Sequence, residues 1–81
     1  MNVSEEIKKI IEGIIEKEYE NIFEMNFFEN LEFDSISIMT LIDEIEEKYS
    51  IYISEDRLIE AISSVDNLVK VVNECLNEKN E

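Results

Sequence analysis

Residues 28–53 read FENLEFDSISIMTLIDEIEEKYSIYI, and the middle of that stretch decides the fold. From Ser35 to Tyr49 the residues Ile38, Leu41, Ile42, Ile45 and Tyr49 recur every three or four positions. That period sets one face of an α-helix against a core. Asp34 stands where its carboxylate can accept the unpaired amides of the first turn, so the spacing predicts a capped helix over 35–49. At about 100° per residue, Ile36 and Met39 fall well off the apolar face and near Asp43, Glu46 and Glu47. An apolar pair fringed by acids, beside a serine at a helix start, makes a reasonable docking surface. The alternative is that Ile36 packs on the preceding loop and Met39 is an ordinary surface residue.

Upstream, residues 20–33 lose the helical period. Phe23, Phe27, Phe28 and Phe33 alternate there with Asn21, Asn26 and Asn30. This reads as a long loop pinned by rings, a kind of segment that is uncommon in small domains and often functional. Before it, Val3, Ile7, Ile10, Ile11, Ile14 and Ile15 mark a first helix from Asn2 or Ser4 to about Tyr19, with Glu5, Glu6, Lys8, Lys9 and Glu12 turned outward. Gly13 weakens that helix by up to about 1 kcal/mol relative to Ala.

Downstream, Ile51-Tyr52-Ile53 has no partner strand. Ser54 can cap a short helix over about 55–62. Ser64 can cap a last helix bearing Val65, Leu68, Val69, Val71, Val72, Cys75 and Leu76, and the polar tail 77–81 is expected to fray. Three longer helices and one short one make an all-α, small four-helix bundle. At 81 residues, the chain 1–81 is expected to form a single domain.

Charge is the strongest compositional signal: 21 Asp and Glu against 7 Lys and Arg give a net charge of −14. Nucleic acid and anionic membranes reward the opposite sign, so partners with basic surfaces are expected. Acidity also keeps a small protein soluble without any further role. No stretch approaches the roughly 20 apolar residues that span a bilayer, and no signal-peptide pattern opens the chain. Cys75 is the one cysteine, and it falls in the apolar stripe of the last helix, where it reads as a core residue. A cytoplasmic monomer is the expectation. The absence of His removes imidazole bases and histidine metal ligands. Calcium loops need a central glycine, and the single Gly is Gly13.

A serine at a helix start is a common cap. It is also where a helix dipole and free amides welcome an anion. The surrounding string is informative: Phe28, Leu31, Phe33-Asp34-Ser35-Ile36, Leu41-Ile42, Ile45-Glu46-Glu47-Lys48-Tyr49 and Ile51-Tyr52-Ile53. It resembles the acyl and peptidyl carrier protein family, whose bundle presents an Asp-Ser-Leu motif at the start of its second helix. The likeness runs from about Phe27 to Leu76.

The resemblance implies a 4'-phosphopantetheine arm moved from coenzyme A to Ser35 by a phosphopantetheinyl transferase, with Mg²⁺ assisting and Asp34 holding the metal or orienting the site. It implies a non-catalytic carrier holding acyl or aminoacyl groups as thioesters on the arm's thiol, for fatty-acid, polyketide or nonribosomal-peptide synthesis. Ile36 and Met39 match positions where the family meets its partners, the loading and transfer enzymes with basic docking patches. Asp43, Glu46 and Glu47 extend that surface. Ile45, Ile53, Leu58, Ile59 and Ile62 are candidates to line a shelter for cargo, though residues of this kind are more often plain core.

Several positions depart from the family's pattern. Ile36 replaces the commoner Leu, Glu32 stands where Gly is usual, Ser37 and Thr40 replace acids, and Asp43 replaces an apolar residue. These departures favour a specialised pathway, including aminoacyl or peptidyl transfer, over a housekeeping fatty-acid role. The competing reading is an armless acidic adaptor of the same fold that grips a basic partner through its second helix, with Ser35 only a cap.

Overall fold

A computed structural model describes residues 2–80; the ends of the expected domain, Met1 and Glu81, lie outside the described residues. Four α-helices run α1 (Val3–Ile15), α2 (Ser35–Tyr49), α3 (Glu55–Ala61) and α4 (Val65–Lys79), with a 3-10 turn at Ile22–Glu24. No strand occurs among the described residues, and Ile51-Tyr52-Ile53 is an extended link. Helix α1 packs on α2 and α4, while α3 leans on α4.

Each helix begins at a side-chain cap. Asn2, Asp34, Ser54 and Ser64 accept from the backbone N–H of Glu5, Ser37, Arg57 and Asn67 respectively. The four stripes then meet in one core. Ile7 and Ile11 from α1, Leu41 and Ile45 from α2, and Leu68 and Val72 from α4 are fully buried. Each such side chain contributes about 1.5–3 kcal/mol of transfer free energy. Cys75 is a buried member of this core, close to Arg57.

Three helix ends differ from expectation. Helix α1 stops at Ile15 rather than Tyr19, because Glu16 turns left-handed at φ 57° and returns its N–H to the Glu12 carbonyl. Glu12 also reaches past the end of the helix to accept the Tyr19 N–H at 3.4 Å. At the other terminus α4 continues through the polar residues to Lys79. Arg57 pairs with Glu78, and the Lys79 ammonium donates to the Tyr49 carbonyl at 3.1 Å. These two contacts hold the last turn on α3 and the end of α2. The short helix closes at Ala61, one residue early, with Ile62 as its cap.

The loop before α2 is anchored by more than rings. Phe27 is fully buried and meets Phe33 edge-on, with ring centroids 5.2 Å apart, whereas Phe28 is largely exposed. Asn26 organises the turn between them. Its Oδ1 accepts from the N–H groups of Phe28 and Glu29, and its Nδ2 donates to the Ser63 carbonyl at 2.9 Å. The Val65 N–H donates to the Met25 carbonyl, a second tie between loop and α4.

Candidate functional site

The loop delivers the chain to α2 through Glu32, which adopts a left-handed φ of 57°. Phe33 is then buried, Asp34 caps, and Ser35 opens the helix. The Asp34 Oδ1 accepts from the Ser37 N–H at 2.8 Å. Hydrogen bonds from the Ser37 backbone and side chain hold its carboxyl below the usual carboxylate range. Ser35 is exposed, and among the described residues none hydrogen-bonds its hydroxyl. The cap is therefore Asp34, and the Ser35 side chain is left free for other work.

Helix α2 is also the one of the four α-helices with no acid in its first turn. Its partial positive charge is countered only by the cap, which leaves a favourable end for a phosphodiester. The residues present thus fit an anionic group on Ser35 Oγ. Three convergent acids that could cage a metal ion are not found among the described residues.

Ile36 and Met39 are 76% and 64% exposed, so Ile36 does not pack on the loop. Asp43 and Glu47 are exposed beside them. Glu46 also makes a structural contact. Its Oε2 accepts the Ile53 N–H at 2.8 Å and ties the link after α2 back to the helix. Two further apolar residues are exposed, Tyr52 and Ile59, and sequence reasoning placed neither of them on the surface. Both sit where a periodicity argument has no purchase, in the extended link and on a helix of seven residues.

Between α2 and α3 lies a groove of about 250 Å³. Ile38, Met39, Ile42, Ile53, Leu58 and Ile62 supply its apolar surface, and Asp43, Glu46, Tyr52 and Glu55 its rim. Two expected lining residues fall elsewhere. Ile45 is fully buried in the core. Ile59 is 72% exposed and faces solvent.

Ser35 is the first residue of the helix that supplies Ile38, Met39 and Ile42 to this groove. On a helical wheel Ser35, Met39, Ile42 and Glu46 fall within about 60° of one another, and Ile38 lies about 60° to the core side of Ser35.

A family model described as the phosphopantetheine attachment site matches residues 5–72. The chain belongs to that family. No curated protein matches it. The domain is a phosphopantetheine carrier of the acyl and peptidyl carrier protein type, and 4'-phosphopantetheine is its covalent cofactor. Carrier domains of this family are in general non-catalytic, and work with a phosphopantetheinyl transferase and with biosynthetic enzymes.

Proposed function

We propose that Ser35 bears the arm and that the chain holds acyl or aminoacyl intermediates as thioesters on it, in a specialised biosynthetic pathway. The observation that carries this reading is the free, exposed Ser35 hydroxyl at the start of α2, directly after a cap made by its neighbour Asp34. In loading, Ser35 Oγ forms a new P–O bond to the phosphate nearer the pantetheine of coenzyme A. The pyrophosphate bond breaks, the nucleotide half leaves, and the hydroxyl proton passes to a base of the transferase or to solvent. Asp34 stays ionised beside the incoming pyrophosphate, which calls for a cation between them. Mg²⁺ would fill that role, with Asp34 as the one acid of this chain placed to meet it.

Partners read Ile36 and Met39 as an apolar contact framed by Asp43 and Glu47. Complementary basic patches speed their encounter with a chain carrying −14. Intact mass after incubation with coenzyme A, Mg²⁺ and a broad-specificity transferase tests the reading. The parent chain should gain one phosphopantetheine, and Ser35→Ala should gain none. An unmodified parent, with the transferase active on a known carrier, would favour the armless adaptor.

A further inference from the structure

Helix α3 is the element least able to stand by itself. It has seven residues, of which Ala61 alone is buried, and an isolated helix of that length does not persist in water. Ile59 faces solvent and Leu58 is half-buried. The helix packs on α4, and what it lacks in apolar burial there is made up by charge.

Both ion pairs among the described residues join these two helices. The Arg57 guanidinium donates as a fork to the two carboxylate oxygens of Glu78, with Nη1 at 3.0 Å from Oε1. The Lys70 ammonium donates to Glu60 Oε1 at 3.2 Å. Lys70 and Glu78 stand about 12 Å apart along α4, at 1.5 Å of rise per residue, so the two pairs bracket α3. Arg57 Nη1 also donates to Cys75 Sγ at 3.4 Å, and Sγ lies 3.8 Å from the Tyr52 carbonyl oxygen. With α3 seated, the one thiol of the chain is covered.

Charge acts in opposite directions here and elsewhere. With a net charge of −14, most acids meet like charges, and added salt relieves that repulsion. At the α3–α4 seam salt screens attraction instead, and it reaches both pairs because their side chains are partly exposed. The same ions therefore tighten the fold as a whole and loosen α3.

We propose that Arg57–Glu78 and Lys70–Glu60 form an ionic latch that holds α3 on α4 over Cys75, and that added salt releases α3 while the three longer helices stay packed. Leu58 and Ile62 belong to the α3 end of the groove lining, so the latch also sets one wall of that groove. The arm plays no part in the latch, and the inference stands apart from the reading of Ser35.

The unloaded chain tests it by amide exchange and by alkylation of Cys75 with iodoacetamide, a neutral reagent. The Leu58 and Ile62 amides donate to the carbonyls of Ser54 and Leu58 and report on α3; the Leu41 and Leu68 amides report on the core. Raising NaCl from about 0.01 M to about 0.15 M should speed exchange at Leu58 and Ile62 by about threefold, the size expected of exposed pairs, and Cys75 alkylation with it. Exchange at Leu41 and Leu68 should slow over the same range. In the Glu60→Gln, Glu78→Gln chain, the α3 amides and Cys75 should react at low salt as fast as the parent does in salt, with no further gain. That chain has two fewer acids, so its melting temperature should match or exceed the parent's, which separates loss of the latch from loss of the fold. Slower exchange at Leu58 and Ile62 in salt, or a variant that behaves as the parent, would overturn the inference. So would core amides that quicken together with those of α3.

Discussion

The Tyr49 hydroxyl donates to Glu6 Oε1 at 2.6 Å, joining the last turn of α2 to the first turns of α1. Tyr49 is otherwise buried. Burial and the Glu6 carboxylate together push its phenol above the usual range. Its proton is thus held more tightly in the folded chain than in the unfolded one. The resulting stability is complete below the unfolded value of about 10 and is lost as pH rises beyond it. Tyr49→Phe should cost about 1–2 kcal/mol at neutral pH, and should flatten the loss of stability above pH 10 in urea titrations. An unaltered alkaline slope would show that the contact carries no linkage.

Glu32 occupies a left-handed backbone at φ 57°, a conformation that glycine adopts without steric cost. For a side-chain-bearing residue that conformation costs roughly 1–2 kcal/mol, and glycine's added freedom when unfolded returns about 0.4–1 kcal/mol of it. Glu32→Gly should therefore stabilise the chain by about 0.5–1 kcal/mol, read as a higher urea midpoint. A lower midpoint would mean that the Glu32 side chain makes a compensating contact.

Asn26 satisfies the Phe28 and Glu29 amides and holds the Ser63 carbonyl. Asn26→Ala leaves those groups to solvent and should cost about 1–2 kcal/mol. Amide exchange should quicken first at Phe28 and Glu29, ahead of α2 and α4. Uniform quickening across the chain would contradict a local role.

With a net charge of −14, only two ion pairs are formed among the described residues, Arg57–Glu78 and Lys70–Glu60. Repulsion among the remaining acids is screened as salt shortens the Debye length from about 30 Å at 0.01 M to about 8 Å at 0.15 M. If screening is worth about 1 kcal/mol, the melting temperature should rise by about 4–8 °C. A melting point that ignores salt would show the acids to be spaced widely enough not to interact.

Helix α2 was legible to the residue because a cap, an uninterrupted apolar period and a change of character at Ser50 all coincide. Signals of that kind are missing at the end of α1. Glu16 turns left-handed without a Gly or Pro to announce it, and Ile14 and Ile15 continue the apolar pattern to the last residue. The tail looked free because Glu78 and Lys79 are polar. Their partners, Arg57 and the Tyr49 carbonyl, are brought near only by the packing of α3 and α4.

The candidate site divides in the same way. Asp34, Ser35, Ile36 and Met39 lie on one helix, where spacing determines exposure. The groove depends on the separation of α2 from α3, which no single-helix period encodes. Ile45 is the plain core residue that its stripe implies, whereas the exposure of Ile59 runs against either expectation for it. Glu46 could be seen as an acid near the helix surface, but its bond to the Ile53 N–H depends on how the link folds back.

The most direct test is to locate the arm. Cleavage after Glu32 and Glu44 releases a fragment from Phe33 that contains Ser35, Ser37 and Thr40. Fragmentation mass spectrometry of the loaded chain distinguishes these three hydroxyls. The account predicts a single phosphopantetheine on Ser35 alone. Attachment at Ser37 or Thr40, or none with a transferase active on a known carrier, would contradict it.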